Sequence, residues 1–173
     1  MSRSKSNISL DDFTNNNLGL INKISNDIKY TETELIKIKD ELNNLCQFSY
    51  FSEVPVGFII SRPLISVNNN ENNIPIGIII ENLSILTAYS IKFNIEIELI
   101  NYIEKLTIDE RHLNNLFFII NKKSSESNDN NDKLIKILNN LNFEIDDTIL
   151  LNSFKNYQTY DNNDYIIYKK LLK

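Results

Sequence analysis

Between Ile21 and Leu45 apolar residues recur at alternating steps of three and four: Ile21, Ile24, Ile28, then Leu35, Ile38, Leu42 and Leu45. Thr31 is the one polar member of the series. A seam of this period lays one apolar stripe along a helix and predicts an α-helix over residues 18–46. Two arrangements satisfy the stripe: a coiled-coil arm that self-associates through residues 21–45, or a helix laid against its own domain.

Past this run the period changes. Residues 56–60, 64–67 and 76–80 are β-branched runs of strand length, and "VNNNENNIP" between the last two reads as a hairpin-like loop. Ile95, Leu99, Ile100, Ile103 and Leu106 share a helical face, predicting a helix from near Asn94, with a short strand before it at 89–93. Farther on, "NLFFIINKK" reads as a buried strand, "SSESNDNND" as a loop and "DKLIKILNNLN" as an amphipathic helix capped by Asp132. "FEI" and "DYIIYKKL" read as further strands. This order predicts an α+β fold, a mixed sheet with packed helices preceded by the heptad-patterned helix. The expected division is a disordered N-terminus over 1–17, a helical arm over 18–47 and an α/β domain over 53–173.

Composition narrows the class. The 173-residue chain carries 18 basic and 23 acidic residues, which argues against a nucleic-acid or anionic-membrane surface. Cys46 is the single cysteine, so a disulfide framework within the chain is excluded and a reducing compartment is expected. There is no apolar leader after the first basic residues and no run of about 18 apolar residues. A soluble cytoplasmic protein is expected, with the nucleus as a second location. The Asn-rich tracts read as solvated loops.

The chemistry most visible in the sequence is what it lacks. The three glycines, Gly19, Gly57 and Gly77, are too far apart to form a phosphate-cradling loop. The strand-helix-strand tail is similar to acetyltransferase-like folds, which hold the cofactor pyrophosphate on an Arg/Gln-x-x-Gly-x-Gly/Ala turn that opens a helix. Nothing in the chain matches that turn, so an acetyltransferase-like sheet without a cofactor site is expected. His112, the lone histidine, sits in the polar connector "TIDERHLNN" and reads as structural. Glu96, Glu98, Glu104, Asp109 and Glu110 form either a solvated helix face or an acidic patch for a partner. Phe117, Phe118, Phe143, Tyr165 and Tyr168 fall on predicted strands and read as core.

The C-terminal third, "LFFIINKKSSESNDNNDKLIKILNNLNFEI" followed by "NDYIIYKK", resembles the core of the ornithine decarboxylase antizymes. In that family an apolar strand ends in a Lys-bearing loop and an Asp-Arg/Lys pair opens a helix, matched here by Asp132-Lys133. A Gly-Phe-Glu-Ile strand follows, matched by Phe143-Glu144-Ile145, and the closing strand is matched by Asp164 and Tyr168. Antizymes are made by a +1 ribosomal frameshift that leaves Ser-Asp or Ser-Glu at the junction, and Ser52-Glu53-Val54-Pro55 has that form. Asn142 stands in place of the family's glycine and Asp146 in place of an apolar residue.

The resemblance implies a non-enzymatic inhibitor without cofactor or metal. It would bind the ornithine decarboxylase monomer, block homodimerisation, deliver it to the proteasome without ubiquitin, and lower polyamine synthesis and uptake. Glu98, Glu104, Asp109 and Glu110 would form the acidic partner face, flanked by Lys123, Lys133, Glu144 and Asp146. Two other readings stand beside it: a structural subunit with a coiled-coil arm and a small head, and a divergent acetyltransferase.

Overall fold

Thr31, the polar interruption of the seam, is a helix N-cap. Its hydroxyl accepts from the Glu34 N–H at 3.2 Å, and the Glu34 carboxylate accepts from the Thr31 N–H at 2.7 Å. This reciprocal capping box starts a new helix where a continuous one was expected. In the computed structural model, which describes residues 7–25, 27–68, 73–123 and 128–173, the region 18–46 is two helices. These are α1 (Gly19–Ile24) and α2 (Glu32–Leu42), followed by a 3₁₀ turn at Asn43–Leu45. The three-four spacing survives the break because each helix buries its own share of the stripe: Ile21, Ile24, Leu35, Ile38, Leu42 and Leu45 are all buried. Ile28, between the helices, is 45% exposed. The stripe is therefore core, the second of the two arrangements left open by the sequence.

The remaining elements are β1 (Ile8–Asp12), β2 (Cys46–Phe51), β3 (Val54–Leu64), β4 (Gly77–Ile85), α3 (Ile95–Asp109), β5 (Asn115–Asn121), α4 (Asn128–Asn140), β6 (Glu144–Ile145) and β7 (Tyr165–Leu171). The strands form a seven-stranded mixed sheet in the order β1-β2-β3-β4-β5-β7-β6. The chain divides into two compact units, one of Met1–Ile60 with Asn82–Asn101 and one of Ser61–Glu81 with Tyr102–Lys173.

In the first unit β1 runs antiparallel to β2, from Ile8 opposite Phe51 to Asp12 opposite Gln47. Neither strand is visible in the sequence as an alternating pattern. Gln47 and Ser49 are as buried as Cys46 and Phe48, so polar residues do not mark a wet face of β2. The Gln47 amide donates to the Asp12 carboxylate. Ser52 and Glu53, expected as a recoding junction, are the two loop residues of the β2–β3 hairpin. Both have positive φ, 47° and 70°, between the paired residues Phe51 and Val54. Gly57 on β3 is required by close packing, since a Cβ there would meet the Ile85 side chain and the Ser49 Oγ at 2.8 Å. Phe13, Phe48 and Phe58 pack in the same core, the first two with ring centroids 4.6 Å apart.

In the second unit β4 pairs with β5 in parallel, Ile78–Ile80 opposite Leu116–Phe118, and β5 pairs along its whole length with antiparallel β7. Gly77 lets β4 approach β5, because a Cβ there would collide with the Asn115 carbonyl oxygen and with the Phe117 ring at 2.7 Å. The strand expected at 64–67 is absent as a separate element. Leu64 ends β3, and Ser66 forms an isolated bridge to Phe154. The helix expected from Asp132 opens four residues earlier, as α4.

Candidate active site

Two charged residues interrupt the apolar runs of neighbouring strands, Arg62 in "FIISRPL" and Glu81 in "IIIENLSI". Alternation along the strands puts Arg62 beside Leu64 on β3 and Glu81 beside Ile79 on β4. Leu64 and Ile79 belong to a buried cluster with Phe117, Ile119, Leu151, Phe154, Tyr157 and Ile167. The charges pair at the border of this cluster. The Arg62 Nε–H lies 2.9 Å from both Glu81 oxygens, and Nη2 donates to Oε1 at 2.8 Å. The two side chains are only 15% and 18% exposed.

A third group comes from far along the chain. The Tyr157 hydroxyl donates to Glu81 Oε2 at 2.6 Å. Burial, and then the adjacent Glu81 charge, push the Tyr157 phenol well above its ordinary value, so it is a hydrogen donor over the working pH range. Tyr160 meets Tyr157 edge-on at 5.2 Å and stacks on Tyr165 at 5.0 Å, and burial followed by Glu81 raises its phenol too. Glu81 is the first β4 residue past the parallel pairing with β5. In sheets with parallel strands, ligands are taken at the carboxyl ends of those strands. None of the three is among the residues expected from the sequence; the signal for Arg62 and Glu81 is a charge inside each of two neighbouring apolar runs, whereas nothing in "NSFKNYQTYD" marks Tyr157 as a partner of β4.

In the first unit, residues 86–94 lead from β4 into α3. The backbone N–H groups of Tyr89 and Ser90 donate to the Leu86 carbonyl at 2.8 and 3.1 Å. Those of Ile91 and the Ser90 hydroxyl donate to Glu96 Oε1 at 3.0 and 2.8 Å. Ile91 and Asn94 take positive φ without being glycine. The strand expected at 89–93 is this turn, and its aromatics pack together: Phe93 lies 4.3 Å from Phe51 and 5.9 Å from Tyr89.

Of the residues expected to form a partner face, Glu98 is exposed on α3 in the first unit, while Glu104, Asp109 and Glu110 belong to the second. Glu104 is bound to Lys170 at 2.6 Å, and Lys170 also lies over the Phe143 ring. Lys123 pairs with Asp164 at 2.7 Å, which raises its pKa through that hydrogen bond and charge, and Lys133 is exposed on α4. Glu144 and Asp146 both lie beside Lys169: Glu144 opposite it in register, Asp146 at 3.9 Å. His112 is exposed and Cys46 is fully buried in β2. Among the described residues no group of His, Cys, Asp and Glu is placed to hold a metal ion, and no helix is long and apolar enough to cross a membrane.

No protein-family model and no curated protein matches the chain. Solved structures do. Naa50 of Arabidopsis thaliana, in complex with a bisubstrate analogue, is 18% identical, with a TM-score of 0.65 over 95% of this chain and 98% of that one. Naa20 of Chaetomium thermophilum is 12% identical, with a TM-score of 0.68 over 95% and 86%. The PaiA N-acetyltransferase of Thermoplasma acidophilum, in complex with coenzyme A, is 13% identical, with a TM-score of 0.61 over 95% and 98%.

These likenesses overturn the antizyme resemblance. Asp132-Lys133, Phe143-Glu144-Ile145 and Asp164 with Tyr168 lie along the α4, β6 and β7 part of the chain, so they followed the order of elements in a fold rather than a function. The expectation of a non-enzymatic inhibitor falls with it, as do ornithine decarboxylase and the proteasome as partners and the polyamine and frameshift readings. The chain has the α+β fold of the N-acetyltransferases.

Proposed function

We propose that the chain is a divergent N-acyltransferase that moves an acyl group from a thioester to an amine, with Glu81 holding the acceptor. The observation that carries this is the position of Glu81 in a fold shared with N-acetyltransferases: the first β4 residue past the β4–β5 pairing, tied to Arg62 and Tyr157. The carboxylate receives three donors through four contacts: the Arg62 Nε–H is shared between its two oxygens, Nη2–H adds to Oε1 and the Tyr157 O–H to Oε2. An amine N–H enters by taking over one of the two shared Nε–H contacts, since a carboxylate has about four acceptor positions. Held in this way, the nitrogen attacks the acyl carbon, the carbon–sulfur bond breaks with its electron pair on sulfur, and the amine proton passes towards Glu81. Tyr157 and Arg62 fix the carboxylate in place, and Tyr160 and Tyr165 supply an apolar, aromatic wall beside it.

The Naa50 structure contains an analogue that joins coenzyme A to a peptide, which supports a peptide α-amine as the acceptor here. Coenzyme A itself does not fit the turn that opens α3 in this chain, because the turn has no glycine and the Glu96 carboxylate has taken the Ile91 N–H. The test is incubation of the protein with acetyl thioesters and peptides bearing either a free or a blocked α-amine, followed by mass spectrometry. Acetylation of the free-amine peptide alone is expected. Failure to acylate any amine from any thioester would overturn the reading.

A further inference from the structure

The helix that crosses between parallel β4 and β5 is α3, and in folds of this kind the turn at its N-terminus is where an anionic ligand meets free backbone N–H groups and the positive end of the helix dipole. In this chain that place is taken from inside. Glu96 lies in the first turn of α3 and is 5% exposed. Its Oε1 receives the Ser90 hydroxyl and the Ile91 N–H, and its Oε2 is buried with no hydrogen-bond partner among the described residues. The neighbouring N–H groups of Tyr89 and Ser90 turn back to Leu86, and Glu98 adds a second acid in the same turn.

We infer that Glu96 acts as a built-in anion that closes the α3 turn to a diphosphate, so that the acyl donor of this chain is held without a diphosphate at that turn. This rests on the acyl-transfer reading for the word donor, but the closure itself does not. Three features agree. The turn keeps side chains at 91 and 94, where positive φ favours glycine. The Ile91 N–H it could have offered is already used. A diphosphate would also face carboxylates at Glu96 and Glu98 within the first helical turn, where like charges repel.

The test is calorimetric binding of two probes, dephospho-coenzyme A, which carries the diphosphate, and pantetheine, which lacks it. They are compared on the wild-type chain, on Glu96→Gln, which removes the charge, and on Glu96→Thr, which also frees the Ile91 N–H. The wild type is expected to bind the diphosphate probe no tighter than pantetheine. Glu96→Gln and, more strongly, Glu96→Thr should shift the ratio by about tenfold towards the diphosphate. If Glu96→Thr fails to fold, Glu96→Gln carries the comparison alone. A wild type that prefers the diphosphate probe about tenfold, or a ratio unmoved in every folded variant, overturns the inference. Because the readout is binding, it is independent of whether any amine is acylated.

Discussion

Tyr157 gives its phenolic hydrogen to Glu81 Oε2 at 2.6 Å from a ring that is only 1% exposed. A residue in the segment between β6 and β7 is thereby fastened to a residue of β4, 76 positions away. Tyr157→Phe keeps the ring and removes the donor, so it should destabilise the protein by about 1–3 kcal/mol, the range for deleting a hydrogen bond to a buried charged group. Urea unfolding of the variant measures this. Combined with Glu81→Gln, which weakens the same bond from the other side, the two losses should be non-additive.

The same bond sets an alkaline limit on stability. Burial and Glu81 raise the folded-state pKa of Tyr157 well above the ordinary 10.0. Above pH 10 the unfolded chain therefore releases this proton while the folded chain retains it, and stability falls as pH rises. Below about pH 10 the contribution is fully present. Burial raises Tyr160 and Tyr168 in the same direction. Melting temperatures measured from pH 8 to 11 should be flat and then drop, and the drop should be shallower in Tyr157→Phe.

The β2–β3 hairpin turn carries side chains where its backbone favours none. Ser52 and Glu53 both have positive φ. Replacing Glu53 with Gly removes the left-handed penalty and should stabilise the chain by about 1 kcal/mol, against the usual loss on introducing glycine. Thermal unfolding checks the sign. Gly57→Ala should act in the opposite direction, destabilising by about 1–3 kcal/mol, because its Cβ would press on the Ile85 side chain and on Ser49 Oγ at 2.8 Å.

The apolar stripe between Ile21 and Leu45 is core, not a dimer seam. Leu45→Ala, at a residue 1% exposed, should lower stability by about 2–5 kcal/mol. Light scattering of the folded variant should give the same mass as the wild type. A mass halved by the substitution would restore the coiled-coil arm.

The sequence carried the second half of this fold well and the first half poorly, for reasons that particular residues make plain. β5 and β7 are bulky runs bounded by polar turns, and α4 has a clear apolar face, so period and length identify them. β2 hides because Gln47 and Ser49 are buried beside Cys46 and Phe48, and the helical seam before it runs up to Leu45 without a visible end. The capping box at Thr31 was written in "TETE", but the three-four spacing on both sides of it concealed the break. The site was less legible than the fold. Arg62 and Glu81 can be found as charges inside apolar strands, but pairing them requires the register of neighbouring strands, and Tyr157 requires the path of the β6–β7 segment. The antizyme resemblance arose because strand, helix and two strands in that order describe a fold before they describe a function.

Glu81 is the residue that would hold the amine in the proposed acyl transfer. The direct measurement is the rate of acyl transfer from a thioester to a peptide α-amine, in the wild type and in Glu81→Gln, by mass spectrometry, with melting temperature recorded to show that both are folded. Transfer by the wild type and a loss of about 100-fold or more in the folded variant is the expected result. Equal rates in the two proteins, or no transfer by either, would contradict it.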